Sequence, residues 1–300
     1  MIAGVKPKTW RIVDRVKIFL CTFADAAARC CRLLNKFQDM KIAIIGCGAM
    51  GGALAEGFVR STAFGAAGIT VTARHGQTLV RFRQLGVNAT TDNVEAVRGA
   101  DIVVLAVKPW LVKGVADELK PVLDCARQTV VSVAAGVSGS ELTDMFTRED
   151  GSCPKIFIAM PNIAAALGCS MTFIVNVNGG EEDAGMTENV FRAVGETMLI
   201  EERLLPAGTA LASCGIAYAM RYVRASMEGG VQLGFKAGAA RDIVLQTVKG
   251  AVALLQDSGG HPEAEIDKVT TPGGLTIRGL NAMERAGFTN AVVCGLVDCK

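Results

Sequence analysis

The sequence predicts two domains: an α/β half with a largely parallel sheet over residues 40–200, followed by an all-helical half over residues 201–300. Three observations carry this expectation. Short, continuously apolar runs recur up to about residue 200 with helical periods between them. Beyond that point the runs stop and only helical periods continue. The length of 300 residues is what two ordinary domains need.

The apolar runs fall at 41–45, 69–72, 102–107, 129–133 and 155–159. They are hydrophobic throughout instead of alternating, which is the pattern of strands covered on both faces. In the second half a helical stretch of some 30 residues, 204–233, is followed by 239–255, 274–285 and 290–297. Half of all residues are apolar and 20% are charged, so the chain can bury a large core and is not of the disordered class. Thirty-one basic and 29 acidic side chains leave a formal charge of +2, which gives no general case for nucleic acid or a membrane surface. A small-molecule partner is expected.

Residues 1–39 differ from the rest. They hold eight of the Lys/Arg and three Asp, show no strand alternation, and at most suggest one basic amphipathic helix. A secretory signal fits poorly. A mitochondrial transit peptide would suit the arginines, yet Asp14, Asp25 and Asp39 count against it. The alternative is a disordered extension or the product of an upstream start codon, because a strand begins immediately after Met40. The ten cysteines include no CxxC pair, and His75 and His261 are the only histidines. That favours reduced thiols, a reducing compartment such as the cytoplasm, and no metal site. No stretch approaches 18 uninterrupted apolar residues.

Gly46-Cys47-Gly48-Ala49-Met50-Gly51 matches GxGxxG, a weak pattern alone in a chain with 34 glycines. Its context makes it specific. Ile42, Ile44 and Ile45 form a strand before it, and Ala53, Leu54, Ala55, Phe58 and Val59 form a helix after it. Gly46 would permit the turn, Gly48 would let backbone approach a pyrophosphate, and Gly51 would let the helix pack on the strand. The helix start would then offer its N–H groups to phosphate. Cys47 and Met50 read as spacers. The tip of the second strand, Thr72-Ala73-Arg74-His75, has no carboxylate for a free ribose 2′-hydroxyl. Arg74 suits a 2′-phosphate instead, so NADPH is expected over NADH.

With Thr91-Asp92-Asn93, Ala106-Val107-Lys108-Pro109, Ala134-Ala135-Gly136 and Met160-Pro161-Asn162, the chain resembles the pyrroline-5-carboxylate reductase family. The most specific feature is Asp267-Lys268-Val269-Thr270-Thr271-Pro272-Gly273-Gly274-Leu275-Thr276, which matches the family's signature loop. The resemblance runs from Met40 almost to the end. It implies a Rossmann-like NAD(P)-binding domain followed by an all-α dimerisation domain like the C-terminal domain of 6-phosphogluconate dehydrogenase. It also implies a homodimer, with a decamer as a higher assembly, and the last step of proline biosynthesis.

Carried over by position, the resemblance implies cofactor contacts along Gly46, Gly48, Ala49, Met50 and Gly51, near Ala73 and Arg74, and at Asn93 for the adenosine ribose. Ala106, Val107, Lys108 and Pro109 would flank phosphates and ribose, with Ala134 and Gly136 close to the nicotinamide. Substrate would meet Thr271, Gly273, Gly274, Leu275 and Thr276. Two departures stand out: the usual G-S-G-P-A-Y reads Ser213-Cys214-Gly215-Ile216-Ala217-Tyr218, without its proline, and position 268 is Lys where an amide is common.

The chemistry such a chain needs is modest. A protonated cyclic imine already carries the charge that makes its carbon accept hydride, so orientation matters more than a strong acid. The N–H groups of Gly274, Leu275 and Thr276 can converge on a substrate carboxylate, and Thr271 can add a hydroxyl. Thr276 is the expected catalytic residue, orienting the ring nitrogen. Its alternative, and that of Thr271, is a helix cap. Asp267 can stand behind the substrate or on the surface, and Glu202 can hold part of the pocket or be exposed. The small residues of the long helix suit close helix approach in a dimer.

Two other functions compete. A β-hydroxyacid or 6-phosphogluconate-type dehydrogenase would need a lysine in the long helix, and none occurs from Leu204 to Phe235. A non-catalytic NADPH sensor would have no use for an anion-binding turn flanked by threonines.

Overall fold

The computed structural model describes residues 39–299. The expectations for residues 1–39 lie outside them, apart from Asp39. The described chain separates into two compact units, one of residues up to Ala159 with Ile163–Leu199, the other of Met160–Asn162 with Ile200 onward.

The first unit is built on an eight-stranded sheet: β1 (Ile42–Ile45), β2 (Ile69–Thr72), β3 (Asn88–Thr90), β4 (Ile102–Leu105), β5 (Thr129–Ser132), β6 (Lys155–Met160), β7 (Ser170–Asn176) and β8 (Gly195–Leu199). Its spatial order is β3-β2-β1-β4-β5-β6-β7-β8. The chain therefore winds outward in both directions from β1, and β4 returns to pair with β1 on the side away from β2. In register, Ile44 lies beside Val71 on one side and Val104 on the other, both pairings parallel. All four residues of β1, β4 and β5 are buried, which is why β1 and β4 are apolar without alternation, while β5 buries Thr129 and Ser132 at its ends.

Strands β3, β7 and β8 were not among the expected runs. β3 is three residues long at the sheet edge, and β8 is a half-exposed edge strand carrying Glu196 and Thr197. Neither presents the apolar signal by which a buried strand is recognised.

Helices α1 (Ala49–Ser61), α2 (Gly76–Gln84), α3 (Asn93–Val97), α4 (Val112–Leu119), α5 (Gly139–Phe146) and α6 (Glu181–Arg192) connect or follow the strands. Phe58 on α1 anchors the core, with its ring 5.3 Å from Phe64 and 6.3 Å from Phe191, both edge to face. α5 is held by a capping box, in which Ser138 accepts from the Glu141 N–H and Glu141 accepts from the Ser138 N–H.

The second unit is helical, as expected beyond residue 200. α7 (Leu205–Gly208) runs through a π-helical segment, Thr209–Cys214, into α8 (Gly215–Gln232). The missing proline at Ile216 does not leave a regular helix, because the wide turn lies just ahead of it. The Asn162 side-chain amide donates to the Ala212 carbonyl at 3.2 Å, an acceptor within that wide turn. α9 (Ala237–Ser258), α10 (Pro262–Lys268), α11 (Leu275–Arg285) and α12 (Phe288–Val297) complete the unit. α10 was not anticipated: it is a single seven-residue segment started by His261, whose ring accepts from the Glu263 N–H, and Pro262. Beyond residue 200, only Gly208, Ala210 and Ala240 are buried among the described residues of this unit, while Leu233 is 83% and Leu275 80% exposed.

Candidate functional site

A cleft of about 870 Å³ opens at the carboxyl ends of β1, β2 and β4, where the strand order reverses. Such a switch point is where open α/β sheets take ligands. Its floor is the turn from β1 into α1. Gly46 has φ +98°, and a Cβ there would stand 2.7 Å from Val107 Cγ1 and 2.9 Å from the Ala106 carbonyl oxygen. A Cβ on Gly51 would collide with the Gly46 carbonyl, whereas one on Gly48 would meet nothing within 4 Å. The three glycines thus have different jobs: the first turns the chain, the last seats the helix, and the middle one keeps backbone bare toward the cleft.

The residues fit a dinucleotide. Gly48, the N-cap of α1, has no side chain to bond the first-turn N–H groups, and that turn carries no acidic side chain, so the helix start suits phosphate. Arg74, His75 and Lys108 line the cleft as basic or potentially basic groups against one carboxylate, Glu118. The volume lies within the range of ligand pockets.

Of the residues expected at the cofactor, Gly46, Gly48, Ala49 and Met50 lie on this wall with Ala73, Arg74 and Asn93. Ala106, Val107, Lys108, Pro109 and Ala134 join them. Gly51 lies beneath it as helix packing, and Gly136, with φ +78°, stands outside the lining in the turn that leads to α5. Sequence reasoning missed Thr72 and Glu118 as parts of this wall. Thr72 accepts the Gly46 N–H on its hydroxyl at 3.1 Å and the Cys47 N–H on its carbonyl at 2.7 Å, tying the glycine turn to the end of β2. The polar ends of otherwise apolar elements were the available signal. Cys47 is buried, and that burial pushes its thiol up to about 12.

In the helical unit Asp267, Thr271, Gly273, Gly274, Leu275 and Thr276 share one segment from the end of α10 to the start of α11, while Glu202 is on a separate turn ahead of α7. Gly273 has φ +69°, and Gly274 is the N-cap of α11. The Gly274 N–H is committed to the Thr271 carbonyl at 3.0 Å, which takes it out of the expected anion-binding set. The N–H groups of Leu275 and Thr276 remain at the helix start, where no intrahelical acceptor exists. A Cβ at Gly274 would collide with the Thr271 hydroxyl, so the Pro-Gly-Gly turn holds that hydroxyl against the backbone. Lys268 pairs with Glu265 at 2.7 Å, which holds the Glu265 carboxyl below its ordinary range. Asp267, Thr271, Leu275 and Thr276 are all exposed.

Comparison with known proteins follows the same division. Residues 202–300 match the family described as pyrroline-5-carboxylate reductase dimerisation, and residues 41–136 match NADP oxidoreductase coenzyme F420-dependent. Pyrroline-5-carboxylate reductase 1 of Dictyostelium discoideum is 36% identical over 277 residues, 87% of this chain and 49% of that protein. Pyrroline-5-carboxylate reductase 2 of the same organism is 34% identical over 87% of this chain and 91% of its own. The chain thus spans about half of the first relative and nearly all of the second. The crystal structure of Plasmodium falciparum pyrroline carboxylate reductase with NADP bound superposes with a TM-score of 0.77, at 26% identity, over 88% of this chain and 96% of that one. A Rossmann-like cleft, a helical dimerisation half and this degree of relatedness place the chain in the pyrroline-5-carboxylate reductase family of oxidoreductases.

Proposed function

We propose that the chain reduces Δ1-pyrroline-5-carboxylate to L-proline with NADPH. The observation that carries this is one chain holding both a glycine-floored nucleotide cleft and a Thr-Pro-Gly-Gly turn opening an 11-residue helix. Bound NADPH supplies the hydride. The chain's own residues bind and orient. The start of α1 takes the pyrophosphate, Arg74 takes the 2′-phosphate, and Ala134 stands toward the nicotinamide end. NADH, without that phosphate, is the poorer donor.

The N–H groups of Leu275 and Thr276 hold the substrate carboxylate, with the Thr271 hydroxyl beside them and Gly273 giving the turn its shape. The Thr276 hydroxyl orients the ring nitrogen, which arrives protonated, so no side chain has to act as a strong acid. Asp267 and Glu202 are auxiliary to this pocket. The unburied apolar faces of the helical half, together with the dimerisation-family match, support a homodimer, and the family resemblance extends this to a decamer. The seven cysteines among the described residues are all free thiols, consistent with a cytoplasmic setting. Among those residues no helix is long and apolar enough to cross a membrane.

The test is NADPH oxidation followed by absorbance with Δ1-pyrroline-5-carboxylate as acceptor. Wild type should turn over, and Thr276→Ala should be slower by about tenfold or more. A wild type that binds NADPH without oxidising it in the presence of this imine would refute the assignment.

A further inference from the structure

We propose that Glu118 is a positioning residue for the adenosine half of the cofactor, acting through Asn93. The inference rests on the nucleotide-binding function above. Four elements meet in one chain of hydrogen bonds. The Gly46 N–H donates to Thr72 Oγ1 at 3.1 Å, the Thr72 hydroxyl donates to Asn93 Oδ1 at 2.7 Å, and Asn93 Nδ2 donates to Glu118 Oε2 at 2.9 Å.

Chemistry fixes the direction of this chain at both ends. A backbone N–H can only donate, so the Thr72 oxygen receives it and the single hydroxyl proton passes on to Asn93. At the other end Glu118 Oε2 accepts from Asn93 Nδ2, so an acceptor oxygen at that position keeps the amide nitrogen facing it. An asparagine amide that is otherwise free to flip is held one way round. One Nδ2 hydrogen is taken by Glu118, and the other remains for a ligand. Asn93 and Glu118 both stand on the cleft wall with Arg74 and Thr78, so the acceptor offered to that hydrogen is a ribose oxygen of a nucleotide whose 2′-phosphate reaches Arg74.

Glu118 is not needed for packing. It lies on the last turn of α4, a helix that buries Val112, Ala116 and Leu119, while Glu118 itself is exposed. Thr72, in contrast, is 2% exposed, and its hydroxyl depends on the Asn93 oxygen as acceptor. Glu118 thus keeps the polar end of a buried network turned the useful way at the surface of the cleft.

The test is fluorescence titration of the full chain with NADPH, and displacement of NADPH by adenosine 2′,5′-bisphosphate, which lacks the nicotinamide. Glu118→Ala should weaken both ligands by about fivefold or more. Glu118→Gln keeps an acceptor oxygen for the Asn93 amide and should bind both as wild type does. The ligand-free melting temperature should be the same in all three proteins. Wild-type affinity in Glu118→Ala would overturn the proposal. So would an equal loss in Glu118→Gln, which would make charge the cause, or a loss for NADPH alone, which would place the effect at the other end of the molecule. Failure of the parent reading shows separately: a wild type that binds no NADPH refutes the nucleotide site, and one that binds but reduces no imine refutes only the substrate assignment.

Discussion

A side chain on Gly51 has no room because the carbonyl oxygen of Gly46 fills the space where its first carbon would go, while Gly48, three residues earlier, faces open cleft. The two glycines of one motif should therefore fail differently. Gly51→Ala should destabilise the fold by about 3 kcal/mol by forcing α1 off the strand turn. Gly48→Ala, with an ordinary φ of −77°, should melt like wild type and bind NADPH on the order of tenfold more weakly. Thermal unfolding without ligand and titration with NADPH separate the two effects. A similar loss of stability in both variants would contradict them.

Arg74 lies on the cleft wall at the tip of β2, where no acidic residue is present. Arg74→Ala should raise the KM for NADPH by roughly 10- to 100-fold, the value of a charge-assisted hydrogen bond, and leave that for NADH nearly unchanged. Steady-state kinetics with both donors decides the matter, since equal effects would mean that Arg74 does not read the phosphate.

Asp183 at the start of α6 accepts from Lys155 at 2.7 Å, which with the Gly180 N–H holds its carboxyl below the ordinary value. A folded-state pKa lowered in this way adds stability that is present above the unfolded value of about 4 and is lost as pH falls through the folded one. Asp183→Asn should thus lower stability by about 1 kcal/mol at pH 7 and make little difference in strong acid. Urea unfolding at several pH values gives the comparison, and a difference that persists in acid would point to the helix cap instead of the charge.

Cys47 sits inside the glycine motif yet is buried with its thiol pushed up to about 12, so at pH 8 almost none is thiolate. Iodoacetamide should label exposed Cys169, Cys294 and Cys299 well before Cys47, as read by peptide mass spectrometry. Early labelling of Cys47 would show that the glycine turn opens in solution.

The helical unit buries so little of its own apolar surface that its stability should come from a second copy. The melting temperature should rise with protein concentration, and activity should fall on dilution below the dimer dissociation constant. Calorimetry over a hundredfold range of concentration would reveal a flat melting temperature if the unit were stable alone.

Much of this was legible in the sequence, and the exceptions share a cause. The strands β1 and β4 declared themselves because burial on both faces forces unbroken apolar runs, and β2, β5 and β6 because β-branched or apolar residues cluster in them. The glycine motif was readable because Gly46 and Gly51 are dictated by backbone geometry local to a few residues. Thr72 and Glu118 were not, because their parts depend on side chains from separate elements meeting across 46 positions of chain. A helix start suggests an anion for the Gly274 N–H, but the tight turn back to the Thr271 carbonyl leaves no mark in the residue order. The π-helical segment likewise leaves no periodic mark in Thr209–Cys214, and the Asn162 amide that reaches its Ala212 carbonyl comes from 50 positions away in the chain.

The near absence of interior in the helical half bears on how the molecule is made. The α/β unit among the described residues carries its own core and can reach its final form while the chain is still attached to the ribosome. If the helical half pairs with a second copy as proposed, its maturation becomes a matter of encounter, and a damaged copy still able to pair would withdraw sound ones from service.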